Sequence, residues 1–350
     1  MYLNATYQRN QDPPVSYEGQ YTTDVLAQKA LGFLTDAIDA DRPFFLGIAP
    51  VAPHSNVDAM PLPDDDEDNV TFPDPDQMPS ITPPIPAERH AHLFPDAMVP
   101  RTSNFNPDTP SGASWVRQQP KQNVENVAAN DHFYRSRLRA LQAVDELVAQ
   151  VVSQLESAGI LDNTYIFYTT DNGYHIGHHR LQPGKECGYE EDVNIPLIIR
   201  GPGVPASEES EIVTTHADLV PTILGLAGAA GLRSDVDGVA IPLSKEGLVE
   251  AVGTRHEHVT VEYWGYAAAE GPWGFFGTNT TTAINNTYKA LRVISKEHNL
   301  YYSVWCSGEH ELYDLNVSKL SIITSAKYLP RVFVTSNGFS LTLIRRILVK

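Results

Sequence analysis

Thr164-Tyr165-Ile166-Phe167-Tyr168-Thr169-Thr170, followed at once by Asp171-Asn172-Gly173, is the stretch on which the fold turns. An unbroken run of β-branched and aromatic residues reads as a strand, and Asp-Asn-Gly closes it. Such a strand delivers a carboxylate and an amide at its carboxyl end, where open α/β sheets place their ligands. Just upstream, Leu138, Leu141, Val148, Val152 and Leu155 recur at helical spacing, which predicts a helix over 131–158 with Gly159 as its C′ residue. Downstream, 195–200 reads as a second strand closed by Gly201-Pro202-Gly203, and Asp218 as the N-cap of a helix over 219–227 ended by Gly228.

Further out, Leu26, Ala30, Phe33, Leu34 and Ile38 share one face of a helix over 22–38. Phe44 to Ala49 reads as a buried strand ending in Pro50-Val51-Ala52-Pro53-His54. Helix and strand alternate through 22–230, which predicts an α/β domain over 1–240 with a largely parallel central sheet flanked by helices. Residues 58–126, rich in Pro, Asp and Asn, read as a long surface excursion, with Asp64-Asp65-Asp66-Glu67-Asp68 as a solvated acidic run. From about 241 to 316 the pattern becomes that of a smaller β-rich subdomain, with hairpin-like strands at 288–294 and 299–305.

Composition narrows the function. In 350 residues, 42% are hydrophobic and 19% charged, so the chain can bury a core and is not disordered as a whole. No apolar run approaches the ~18 residues of a membrane span. A net charge of −18 argues against nucleic acid as a general partner, since phosphate-binding surfaces are basic. Two cysteines allow one disulfide at most. Residues 1–6 lack the basic and apolar regions of a signal peptide, yet N-x-[ST] sequons occur at Asn4, Asn69, Asn279, Asn285 and Asn316. The 34 residues from Val317 to Lys350 hold six Lys or Arg and none of the 43 acidic residues. So abrupt a shift marks 317–350 as a non-homologous basic tail, with translated intron as the expectation and a genuine basic tail as the alternative.

Chemistry concentrates between Tyr165 and Glu191. Asp171 and Asn172 offer adjacent hard oxygens suited to Ca²⁺ or Mg²⁺. His175, His178, His179 and Lys185 follow. For Asp-Asn-Gly alone a plain tight turn is the competing reading. His54, at the end of its strand between prolines and polar residues, is a second candidate beside an ordinary structural histidine. A zinc site on the His cluster is weaker, because no cysteine stands at useful spacing.

The run Thr169 to Leu181, with Pro183-Gly184-Lys185, Tyr189-Glu190-Glu191-Asp192 and Ile195-Pro196-Leu197, resembles the sulfatases, in particular fungal arylsulfatases and N-acetylglucosamine-6-sulfatases. Ala52-Pro53-His54, Asp218 to Leu224 and Glu311-Leu312-Tyr313-Asp314-Leu315 resemble further motifs of that family in matching order. The resemblance implies an alkaline-phosphatase-like α/β fold and hydrolysis of sulfate esters, either aryl sulfates or sulfated sugars. It implies one Ca²⁺ held in part by Asp171 and Asn172. Lys185 would neutralise a sulfate oxygen, His54 would hydrogen-bond the leaving oxygen, and His175 and His179 are candidate substrate contacts. With the sequons it implies a secreted or lysosome-like setting, Asn4, Asn69, Asn279 and Asn285 being glycosylation candidates. The family's nucleophile is a formylglycine made in a Cys-x-Pro-x-Arg segment. Cys187 and Cys306 lie in no such segment, and the early Asp-Asp pair is also missing. The expectation is therefore an N-terminally truncated fold, inactive alone. A phosphodiester or phosphonate hydrolase of the same fold is the second reading, and a non-catalytic glycan- or partner-binding pseudo-sulfatase the third.

Overall fold

Small residues let the first two long helices approach closely. In the computed structural model, which describes residues 1–57, 81–229, 235–271, 273, 282–283 and 286–316, two short strands, β1 (Thr6–Tyr7) and β2 (Val15–Ser16), precede helix α1 (Thr22–Asp39). Strands β3 (Asn56–Val57) and β4 (Ile81–Thr82) and a helical turn, α2 (Ser114–Arg117), come before the long helix α3 (Val124–Ser157). Ala27 and Ala30 of α1 pack on Leu147 of α3, while Tyr2 and Ala52 pack on Ala140 and Val144, one to two turns earlier on the same face. Arg89 forks across the helix pair, reaching Asp24 at 2.7 Å and Glu146 at 2.6 Å.

Helix α3 begins seven residues before the predicted start at 131. Asn123 and Asn126 cap it reciprocally, each side chain accepting the other's backbone N–H, and the buried Asn130 spends its Nδ2–H on Gln122 Oε1 at 2.8 Å. Polar side chains satisfied in this way are invisible to a hydrophobic pattern. At the other end Gly159 has φ +72°, the left-handed conformation of a C′ glycine.

Strand β5 (Ile166–Thr169) lies in the predicted run, and β6 (Leu197–Arg200) in the next; between them sits a single helical turn, α4 (Glu190–Val193). The expectation of a largely parallel sheet is not met in the described residues: β5 and β6 pair antiparallel, as do all the strand pairs there. Parallel neighbours need a crossover, usually a full helix. The β5–β6 connection holds only one helical turn and folds back on itself instead. The run Phe44–Ala49 joins no ladder among the described residues, and Phe45 is 77% exposed, so the buried-strand expectation fails there too.

Helices α5 (Leu219–Leu226) and α6 (Lys245–Ala251) follow, then strands β7 (His258–Tyr263), β8 (Ala267–Ala268), β9 (Thr282–Ala283), β10 (Tyr288–Ile294), β11 (Asn299–Trp305) and β12 (His310–Asp314). The last three and β7 form an antiparallel sheet in the order β12-β11-β10-β7. Asp218 is not a simple N-cap. A 3₁₀ turn over 216–218, capped by Thr215, precedes α5, and the buried Asp218 carboxylate accepts from Thr215 N and Val239 N and pairs with Arg255 at 2.7 Å.

Residues 81–123 are not a surface excursion. Val99, Asn104, Ala113, Trp115 and Val116 are buried, and Trp115 meets Trp305 edge-on with ring centroids 6.0 Å apart. The acidic run 64–68 lies outside the described residues. Trp115, Leu181, Tyr189, Tyr288, Tyr301, Trp305 and Tyr313 share one core, and Glu311 sits inside it. Its carboxylate accepts from Ser303 Oγ and Trp305 Nε1, both at 2.9 Å, and from Tyr189 OH at 3.2 Å; burial pushes its pKa up. The Glu-Leu-Tyr-Asp-Leu motif thus ties the C-terminal sheet to the segment that follows Lys185.

Candidate active site

Backbone pairing holds the Asp-Asn-Gly segment in place. Gly173 N donates to Asp192 O at 2.8 Å and Tyr174 N to Glu191 O at 2.7 Å, while His175 and Gly184 exchange both backbone bonds. A Cβ on Gly173 would overlap the Glu191 carbonyl, so this approach needs glycine. The segment is therefore held between the turn carrying Lys185 and the turn over 189–192.

Asp171, Asn172 and Lys185 line one cleft of about 1970 Å³, walled by β6 and β7 and flanked by Glu186, Glu190 and Arg292. Arg292 of β10 binds Glu190 at 2.8 Å and ties the C-terminal sheet to the cleft wall. Asp171 is exposed, and among the described residues its Oδ1 accepts only local bonds, from Asn172 N and Thr170 Oγ1. Asn172 spends its Nδ2–H on Gly173 O at 2.7 Å, which leaves the amide carbonyl for an outside ligand. A carboxylate and an amide oxygen facing solvent suit a hard cation, so these two residues fit Ca²⁺.

His54 reaches the site through its neighbour. Its Nδ1 lies 2.9 Å from Ser55 O, an acceptor only, so the ring hydrogen on Nδ1 is committed there and any proton passed onward must come from Nε2. Ser55 Oγ donates to Glu270 Oε2, which also accepts from Tyr174 OH at 2.7 Å; Glu270 Oε1 lies 4.0 Å from Lys185 Nζ. The Arg137 guanidinium stacks 3.8 Å over the Tyr174 ring and donates to Pro53 O at 3.0 Å. Burial lowers the pKa of Arg137 and raises that of Tyr174. Tyr174, Glu270, Ser55 and Arg137 were not singled out by sequence. Tyr174 and Ser55 adjoin residues that were, but nothing in the sequence ties Glu270, some 85 positions beyond Lys185, to this place.

His175 and His179 are both buried and engaged inside the protein. His175 Nδ1 lies 2.9 Å from each Asp192 oxygen; burial opposes its charge, but the carboxylate outweighs burial and raises its pKa. His179 stacks on Tyr189 at 4.1 Å, and burial lowers its pKa to about 4. His175, Cys187 and Asp192 place three potential ligand atoms within 4.8 Å of one another. Asp192 is already taken by His175 and by the Cys187 N–H, and burial pushes the Cys187 thiol well up, so the group closes on itself as a His–Asp pair. Cys306 is exposed after β11. Cys187, buried and with its thiol pKa raised, is not built as a nucleophile. Asn4 and Asn316 are exposed; Asn69, Asn279 and Asn285 lie outside the described residues. No helix of the described residues is long and apolar enough to cross a membrane.

The family profile described as Sulfatase matches residues 1–229. Sulfatase ppz1 of Metarhizium majus (strain ARSEF 297) is 39% identical over 98% of this chain and 70% of its own length. An arylsulfatase of Volvox carteri is 34% identical, covering 97% of this chain and 55% of its own length. The N-acetylglucosamine-6-sulfatase of Bos taurus is 32% identical, at 89% and 53%. The chain thus spans little more than half the length of the last two. A solved structure described as in complex with its substrate D-glucosamine-2-N,6-O-disulfate superposes with TM-score 0.65 at 21% identity, over 89% of this chain and 67% of that one. At that identity the likeness speaks for the fold.

Proposed function

The chain belongs to the sulfatase family, and from that premise we propose that the protein hydrolyses sulfate monoesters, aryl sulfates or 6-sulfated hexosamines, at the cleft holding Asp171, Asn172 and Lys185. The observation that carries this reading is their convergence: two hard oxygens and an ammonium group line one cleft, and Glu270 joins Lys185 to the residue after His54. Cleaving a sulfate monoester leaves anionic sulfuryl oxygens and builds charge on the departing oxygen. Lys185 supplies positive charge to the first. His54 serves the second from Nε2, its Nδ1 being held by Ser55 O. Ca²⁺, when bound at Asp171 and Asn172, supplies electrostatic stabilisation of the sulfate oxygens.

The nucleophile expected for the family, a formylglycine, is not encoded in this chain, so we assign catalysis to the protein supplied with a Cys-x-Pro-x-Arg segment and none to the 350 residues alone. The sequon exposed at Asn4 supports a secreted or lysosome-like setting. The test is hydrolysis of 4-nitrophenyl sulfate and glucosamine 6-sulfate, against 4-nitrophenyl phosphate and a phosphonate monoester, by that completed protein. Faster turnover of the sulfates supports the proposal. A preference for the phosphorus esters, or no turnover of any, overturns it.

A further inference from the structure

Glu270 is a buried carboxylate with four separate attachments around Lys185. Its backbone N–H donates to Pro183 O at 2.9 Å, two residues before the lysine. One carboxylate oxygen takes the hydroxyls of Ser55 and Tyr174, and the other faces Lys185 Nζ at 4.0 Å. Gly184, between Pro183 and Lys185, is close-packed: a Cβ there would come within 2.9 Å of His175 Nε2 and 3.5 Å of Ala268 O. The turn carrying Lys185 is thus pinned on one side by His175 and on the other by residues 268–270. The three segments that carry His54, Asp171–Asn172 and Lys185 meet at this one side chain.

Resting on the sulfatase reading above, we infer that Glu270 is a positioning residue that holds the Lys185 ammonium in register with the sulfate oxygens. A flexible four-carbon side chain loses rotamer freedom when it is fixed. A buried anion beside the ammonium supplies that restraint before substrate arrives. An electrostatic bystander would act with the opposite sign. A carboxylate near an anion site repels sulfate, so removing a bystander would lower KM and leave kcat alone or raise it.

Glu270→Gln keeps the shape and one acceptor for the two hydroxyls while removing the charge. In the completed protein it is expected to lower kcat on 4-nitrophenyl sulfate about 10- to 100-fold, with KM unchanged or lower. In a Lys185→Ala background the same substitution is expected to cost little more, because Glu270 acts through the lysine. Unchanged kcat, or an equal loss in both backgrounds, overturns the inference. A second measurement uses the 350-residue chain and needs no sulfatase activity. Competitive acetylation read by mass spectrometry should show Lys185 labelling rise several-fold in Glu270→Gln relative to the other lysines, with the melting transition retained. Labelling that stays unchanged in a folded Glu270→Gln chain also overturns it. Altered labelling in a chain whose completed form hydrolyses no sulfate ester would sink the functional reading while leaving the Glu270–Lys185 coupling standing.

Discussion

Asp192 accepts the Nδ1–H of His175 on both oxygens at 2.9 Å while its Oδ2 also takes the Cys187 N–H at the same distance. One carboxylate therefore holds together the strand-end segment carrying Asp171 and the turn after Lys185, with imidazole and carboxylate both buried. Removing one partner of such a pair strands the other without water. Asp192→Ala should cost about 3–5 kcal/mol of folding stability. Equilibrium urea unfolding measures it, and a loss under about 1 kcal/mol would show the pair to be incidental.

Two other groups should oppose each other in the pH dependence of stability. Burial lowers the His179 pKa to about 4, so the unfolded chain, with an ordinary imidazole, binds the extra proton between about 4 and 6.5. That contribution is present above 6.5 and fades as pH falls toward 4. Burial and the neighbouring Glu270 raise Glu186 to about 7, so there the folded state binds the extra proton, and the contribution fades as pH rises from 4.5 through 7. Each is worth on the order of 3 kcal/mol, and their slopes nearly cancel between 4.5 and 6.5. Glu186→Gln should unmask a stability that climbs with pH across that window. A Glu186→Gln profile parallel to that of the parent chain would refute the assignment.

Gly173→Ala places a methyl against the Glu191 carbonyl oxygen and the Asp192 backbone, neither of which can step aside cheaply. Overpacking of this kind costs about 1–3 kcal/mol and should displace Asp171 and Asn172 together. Calcium titration calorimetry on folded protein should show weakened binding. Gly32→Ala, in α1 with open space around it, is the control, and should stabilise by about 0.5–1 kcal/mol with no effect on the cleft.

Among the site residues, Asp171→Ala should be the most damaging in the completed protein, because it removes the only charged oxygen ligand that this segment offers. Lys185→Ala should follow, with a loss on the order of 10²–10³ in kcat. His54→Ala should matter least for 4-nitrophenyl sulfate, whose leaving group departs without help, and more for glucosamine 6-sulfate, whose alcohol needs a proton. Equal losses on both esters would place His54 in the scaffold.

Local order was legible in the residues themselves. Helix α1 keeps its expected bounds to within a residue although Phe33 of its apolar stripe is exposed, β10 and β11 coincide with the expected hairpin strands, and the motifs around Asp171, Lys185 and His54 identify the family before any coordinate is known. These are short-range properties, set by side-chain period and by residue types that chemistry requires at fixed spacing. What residues 81–123 do, which way β6 runs against β5, and where the histidines point were settled only in three dimensions. Trp115 finds Trp305 across 190 positions, Glu270 finds Lys185 across 85, and His175 turns from the cleft to Asp192. Each depends on which distant surfaces bury one another, and a buried polar group takes whichever partner the packing brings within hydrogen-bond reach, a choice no local pattern encodes.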